Sequence, residues 1–144
     1  MKVCIGSDHA GFIVKEHLKK ALKEWGHDVT DVGAPSEESC DYPDFAEKVA
    51  RCVGKGDAER GILICGTGIG MSIAANRVPG VLAACVHDRV TAEMSRRHNN
   101  ANVFCAGSRI VPAGEIEANL RVWLDTPFEG GRHARRVEKI RKMD

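Results

Sequence analysis

An uninterrupted apolar run, Ile62-Leu63-Ile64-Cys65, ends directly in three glycines at alternate positions, Gly66-Thr67-Gly68-Ile69-Gly70. A strand that alternates apolar and polar residues can leave one face in water. A run that is apolar at every position has to be covered on both faces. The stretch therefore predicts a buried strand of a parallel sheet. Glycines beyond it let the backbone turn tightly and bring N–H groups close to a ligand. A helix-compatible segment, Met71-Ser72-Ile73-Ala74-Ala75-Asn76-Arg77, follows. Its positive end and the turn amides together favour negative charge, on a bound anion or on the Cys65 sulfur. The same residues also read as a βα turn around a buried structural cysteine, and the stretch alone leaves both readings open.

The rest of the chain supplies neighbours for that strand. Val3-Cys4-Ile5-Gly6-Ser7 reads as a first strand ending in Asp8-His9. A helix is expected from about Ala10 to Trp25, with Phe12, Ile13, Leu18, Ala21, Leu22 and Trp25 on one stripe and the lysines mostly opposite. Gly26 stops it, and His27 to Gly33 reads as a polar edge strand. After the polar loop Ala34 to Asp41, Tyr42-Pro43-Asp44-Phe45 suits the start of a helix to about Val53. Beyond Pro79-Gly80, strands at Val81–Val86 and Val103–Ala106 flank a helix from about Asp88 to Arg97. Ala113 to Leu124 forms another helix, and Gly130-Gly131 precedes a basic one over about 132–143. Five strands alternating with helices predict an α/β fold with a five-stranded parallel sheet covered by helices on both faces. No linker or repeat divides the 144 residues, so one domain, 1–144, is expected.

Composition removes several classes of function. A net charge of +1 argues against a general binder of nucleic acid or membrane surfaces. Aromatic residues make up only 5%, too few for base-stacking platforms. No apolar run approaches membrane-spanning length, and nothing resembles a signal peptide. The six cysteines are widely spaced with no C-x-x-C pair, which is neither zinc-ligand spacing nor a disulfide scaffold. Cys4, Cys85 and Cys105 fall in apolar runs and read as small core residues. A cytoplasmic, reduced protein is expected.

In an open parallel sheet, ligands bind beyond the carboxyl ends of the strands. Asp8, His9, Cys65, Thr67 and Arg109 fall there. A carboxylate, an imidazole and a thiol at one edge point to proton transfer, although Asp8-His9 alone also suits a helix cap. His98-Asn99-Asn100 lies at a helix end, where such residues also serve capping. Arg132 and Arg136, four apart on one helix face, suit a phosphate dianion; a solvated basic tail is the alternative. Gly66-x-Gly68-x-Gly70 has its third glycine one place early for a dinucleotide fingerprint, even with Asp88 at a tolerable distance for a ribose-binding acid. Asp8, His9, Asp41 and His98 lack metal-ligand spacing on any one element, so no metal is expected. His17, His27, His87 and His133 read as ordinary surface or strand-end residues.

Six motifs occur in order: Ser7-Asp8-His9-Ala10-Gly11-Phe12; Asp41-Tyr42-Pro43-Asp44; Gly61 to Arg77; Arg97-His98-Asn99-Asn100-Ala101-Asn102; Gly107-Ser108-Arg109; and Gly130-Gly131-Arg132-His133 with Arg136. On these the chain resembles the ribose-5-phosphate isomerase B family, which includes allose-6-phosphate and galactose-6-phosphate isomerases. The resemblance implies a three-layer α/β/α Rossmann-like sandwich with strand order 2-1-3-5-4. It implies a homodimer or homotetramer with sites at the subunit interface, a small sugar phosphate as substrate, and no cofactor. Cys65 would be the base moving a proton between C1 and C2, with Thr67 and His98 assisting ring opening. Asp8 and Tyr42 would contact sugar hydroxyls, and Asn99 would orient the substrate. The amides from Gly66 through Gly68 and Ile69 to Gly70 would stabilise the enediolate. His9, Arg109, Arg132 and Arg136 would hold the phosphate. One branch of the family replaces the cysteine by a glutamate at the position of Met71, so this chain falls with the cysteine branch. The galactose enzymes divide their motifs between two subunits. Here one chain carries the full set, which favours ribose 5-phosphate and ribulose 5-phosphate. A hexose-6-phosphate isomerase and a non-catalytic sugar-phosphate or nucleotide-binding module are the alternatives.

Overall fold

A computed structural model describes residues 1–143. Its elements in chain order are β1 (Lys2–Ser7), α1 (Phe12–Glu24), β2 (Asp28–Asp31), α2 (Tyr42–Gly54), β3 (Arg60–Cys65) and α3 (Ile69–Ala75), followed by β4 (Ala83–Cys85), α4 (Arg89–Arg97), β5 (Val103–Gly107), α5 (Ala113–Asp125) and α6 (Arg132–Arg141). The strands form one parallel sheet in the order β2-β1-β3-β5-β4. The apolar run of β3 takes the centre, buried from Gly61 to Cys65.

Because side chains alternate across a strand, β3 feeds two cores. Ile62 and Ile64 join Ile5 and Phe104 against Leu18, Leu22, Leu120 and Trp123 of α1 and α5. Leu63 and Cys65 join Cys4 and Cys105 against Val49 and Met71 of α2 and α3. Each fully buried side chain of this size contributes about 1.5–3 kcal/mol of transfer free energy, so the sheet is stabilised from both faces.

Three expectations need correction. The buried stripe of α1 runs through Val14, Leu18, Ala21 and Leu22, leaving Ile13 64% exposed and burying Lys15. The Lys15 ammonium tolerates this because it donates to Asp31 at 2.7 Å and to Glu16 at 2.9 Å. β4 is three residues long and Cys85 is only half-buried, since this strand is at the edge. The side chain of Asn76 closes that edge: Oδ1 accepts from the Ala83 amide at 2.8 Å and Nδ2 donates to its carbonyl at 2.9 Å.

The topology fixes where each loop lies. α4 leaves the carboxyl end of β4 and returns to the start of β5. Its last residues therefore sit at the amino edge of the sheet, where the Asn102 carbonyl accepts from the Gly61 amide at the head of β3. The turns after β1, β3 and β5 lie at the opposite edge.

Candidate active site

At the carboxyl edge the β3–α3 turn wraps around the Cys65 sulfur. The Gly68 amide donates to Sγ at 3.1 Å, an interaction that stabilises charge on sulfur. Gly68 makes this turn with φ +80°, and a Cβ there would lie 2.9 Å from the Ala106 carbonyl carbon. No other residue type fits. The Ile69 amide donates to Thr67 Oγ1 at 3.2 Å, which leaves the threonine O–H free to donate outward. Cys65 is 5% exposed, whereas Cys40, Cys52 and Cys85 are more open. Burial raises the thiols of Cys4, Cys85 and Cys105, which keeps them protonated near neutrality.

The neighbouring strand ends supply the other groups. The Asp8 amide donates to the Ile64 carbonyl at 3.2 Å, which places Asp8 beside the end of β3. Its Oδ1 accepts from the Gly11 amide at 3.0 Å, so the carboxylate does serve the head of α1; its second oxygen is not used for that bond. His9 Nδ1 accepts from the Cys40 amide at 3.2 Å, which assigns the proton of the neutral ring to Nε2 and makes that nitrogen a donor. Arg109 lies over Gly66, with Nη1 3.4 Å from where a Cβ would stand. Tyr42 covers Gly70, where a Cβ would meet its ring at 2.7 Å. Ser108 joins these pieces, with Oγ donating to the Ala10 carbonyl at 2.8 Å and within 3.2 Å of the Cys65 carbonyl. Sequence reading gave Ser108 and Cys40 no role; the position of Ser108 directly after a strand-end glycine was the available signal. Asp88 accepts from the Thr91 amide at 2.7 Å in a reciprocal cap of α4, which accounts for it without a ribose.

His98 and Asn99 are not at this edge. They close α4 at the amino edge, about 16 Å away along β3 at some 3.3 Å per residue. There they meet α6. His133 is 6% exposed and stacks on His98 with ring centroids 4.2 Å apart and planes 8° from parallel. This corrects the reading of His133 as a surface residue: α6 buries one stripe, His133 and Val137, and leaves Arg132 and Arg136 exposed beside it. Burial and then the adjacent His98 hold the His133 imidazole below the usual histidine range. Glu129 completes the group, and the candidate ligand atoms of His98, Glu129 and His133 lie within 4.8 Å of one another. Imidazole lone pairs lie in the ring plane, and a single cation cannot lie in two stacked parallel planes at once. As arranged, the cluster is a stack and not a chelate. Asn99 also borders a cavity of about 370 Å³ between β4 and α6, lined by Leu82, Ala84 and Ile140.

Fold and site together define a Rossmann-like α/β domain with a thiol seated in an anion-stabilising turn, flanked by a carboxylate, an imidazole and an arginine. Residues 3–140 match the ribose/galactose isomerase family. The chain belongs to that family. Ribose-5-phosphate isomerase B of Escherichia coli is 43% identical over 143 residues, covering 99% of this chain and 96% of the relative. The structure of ribose-5-phosphate isomerase B from Clostridium thermocellum superposes with a TM-score of 0.98 at 48% identity, over 99% of this chain and 97% of that one. That of the Mycoplasma genitalium enzyme with bound ribulose-5-phosphate gives 0.95 at 45% identity, over 99% and 95%. Among the described residues, no helix is long and apolar enough to cross a membrane.

Proposed function

We propose that this chain interconverts ribose 5-phosphate and ribulose 5-phosphate, with Cys65 as the base. The observation that carries the reading is the Cys65 sulfur, held by the Gly68 amide beside Asp8, in a chain that matches the family over residues 3–140. Cys65 takes the proton from C2 of the open-chain aldose, giving an enediolate; a proton moves from O2 to O1, and Cys65 returns its own proton at C1 to give the ketose. Turn amides and the outward Thr67 hydroxyl face the oxygen where charge develops. Asp8 and Tyr42 engage sugar hydroxyls, while His9 Nε2 and Arg109 meet the phosphate together with Arg132 and Arg136. No cofactor is required for this proton transfer.

One chain cannot bring its own His98 to its own Cys65 across the sheet. The opposite-edge placement supports an assembly, a homodimer or homotetramer, in which α6 and the end of α4 dock against a neighbour and complete its site. His98 then assists ring opening and Asn99 orients the substrate. Residues 1–144 act as one isomerase domain, and the six free thiols support a reducing, cytoplasmic setting. The deciding experiment is turnover of ribose 5-phosphate with solvent deuterium appearing in the product. Tight binding of the sugar phosphate without turnover or exchange would overturn the reading in favour of a non-catalytic binding module. A higher kcat/KM for allose 6-phosphate would move it to a hexose substrate.

A further inference from the structure

Arg96 is 3% exposed, and among the described residues no carboxylate lies within ion-pair distance of it. A buried guanidinium without a counter-ion is costly, and it persists only where its donors are well used. Burial, and then the nearby Arg60, lower its pKa to about 10, well above neutrality, so the group stays charged. All of its acceptors are neutral oxygens. Nη1 donates to Asn100 Oδ1 at 2.9 Å and to the Ala101 carbonyl at 2.7 Å, and Nε donates to the Thr126 carbonyl at 3.2 Å. Its Cζ also lies 5.8 Å from the centroid of the Trp123 ring.

These acceptors belong to two segments far apart in sequence. Asn100 and Ala101 form the turn that leaves α4, and Asn100 holds the left-handed conformation there at φ +50°. That conformation is strained for residues with a Cβ, and asparagine is among the few that adopt it singly. Thr126 caps α5 and begins the segment leading to α6. The two segments also meet where the Glu129 amide donates to the Arg97 carbonyl at 3.0 Å. His98 and Asn99 lie on the first segment; Arg132, His133 and Arg136 follow the second.

We propose that Arg96 is the positioning residue of this half-site, a brace that locks the His98–Asn99 turn against the lead-in to α6. The rigid, planar fork of arginine reaches both segments at once; the single flexible ammonium of lysine does not. The stacking of His98 on His133 is the visible result of that register. The proposal rests on the reading of His98, Asn99, Arg132 and Arg136 as substrate-contacting groups.

The test uses Arg96→Ala and Arg96→Lys in the full-length assembled protein, followed by histidine ring signals in NMR and by kinetics. The His98 and His133 signals should carry ring-current shifts in the wild type and lose them in Arg96→Ala, with circular dichroism and sedimentation unchanged. Turnover of ribose 5-phosphate should fall about 10–100-fold, the loss expected when orienting groups shift by about 1 Å. Deuterium exchange into saturating ribulose 5-phosphate should fall less, because Cys65 is untouched. Arg96→Lys should recover part of both the shifts and the rate. Folded variants with wild-type histidine shifts, or with kinetics within about twofold of wild type, overturn the brace. Failure of both variants to fold overturns it as well, because Arg96 would then serve the whole fold. Absence of isomerase activity in the wild type is a different failure. It would sink the functional reading, and the histidine shifts alone would then decide whether Arg96 sets the stack.

Discussion

At the carboxyl edge of the sheet the proposed chemical groups are fixed by backbone; at the amino edge they are fixed by side chains. Cys65 is held by a glycine amide, and the loops around it are joined by Ser108 through main-chain carbonyls. His98 is held by a stacked imidazole, and its turn by a buried arginine. Backbone contacts at strand ends inherit the rigidity of the sheet, which suits the group whose position relative to C1 and C2 must be accurate. Side-chain contacts leave a helix end free to meet another surface. Under the proposed function, the difference marks the carboxyl-edge half as autonomous and the amino-edge half as the one that needs a neighbour.

The largest expected effect belongs to the autonomous half. Cys65→Ala should keep the fold and much of the sugar-phosphate affinity, yet lose about 10²–10⁴-fold in kcat together with C–H exchange. Retention of a tenth or more of the wild-type kcat would remove the thiol as base and leave Asp8 as the next candidate. Peptide mapping must accompany any alkylation experiment, because Cys40, Cys52 and Cys85 are more accessible than Cys65.

Mixing tests the division itself. Cys65→Ala chains and His98→Ala chains should each be impaired, and co-assembly should restore about a quarter of wild-type activity if sites join two chains in a closed dimer. Hybrids form in half of such dimers, with one intact site each. No recovery on exchange of subunits would mean that each chain supplies both halves of its own site.

Removing one exposed arginine should give a smaller change. Arg136→Ala should raise KM for ribose 5-phosphate by about 10–100-fold, the equivalent of a charge-assisted contact worth 1.5–3 kcal/mol. Turnover of unphosphorylated ribose should hardly move. Equal losses for both sugars would assign Arg136 to the fold.

The smallest effect lies away from the site, on the polar edge strand. Burial raises the Asp31 carboxyl, but bonds from Lys15, Lys19 and the Gly33 amide outweigh it and leave the group below its ordinary range. A depressed carboxyl stabilises the fold above its unfolded value near 3.9, and that stability is lost as pH falls through the folded value. Asp31 is solvent-exposed, so after screening Asp31→Asn should cost about 0.5–1 kcal/mol at neutral pH and flatten the acid limb of the stability curve. Thermal melts between pH 3 and pH 7 measure both; an unchanged acid limb would show that the Lys15 pairing contributes nothing net.

The carboxyl edge was largely legible in the sequence because its geometry is local. Cys65, Thr67 and Gly68 fall within four consecutive positions, and the alternation of parallel strands with helices places Asp8 and Arg109 at the same edge. The amino edge was legible only as a set of residue types. His98 and His133 are thirty-five positions apart, and the histidine that looked exposed is buried because α6 turns that face inward.

By itself, then, the sequence determined the parallel sheet, the polar edge strand, the glycine turn and the resemblance that named the chemistry. Each of these follows from short-range spacing: an apolar run, a period of two or of 3.6, a glycine where only glycine turns. Tertiary structure alone decided that Lys15 is buried and Ile13 exposed, and that His133 stacks on His98. Those outcomes depend on the rotation of a helix about its own axis and on the docking of α6 against the end of α4. Neither is encoded in any local window, because both are set by the packing of elements remote in sequence.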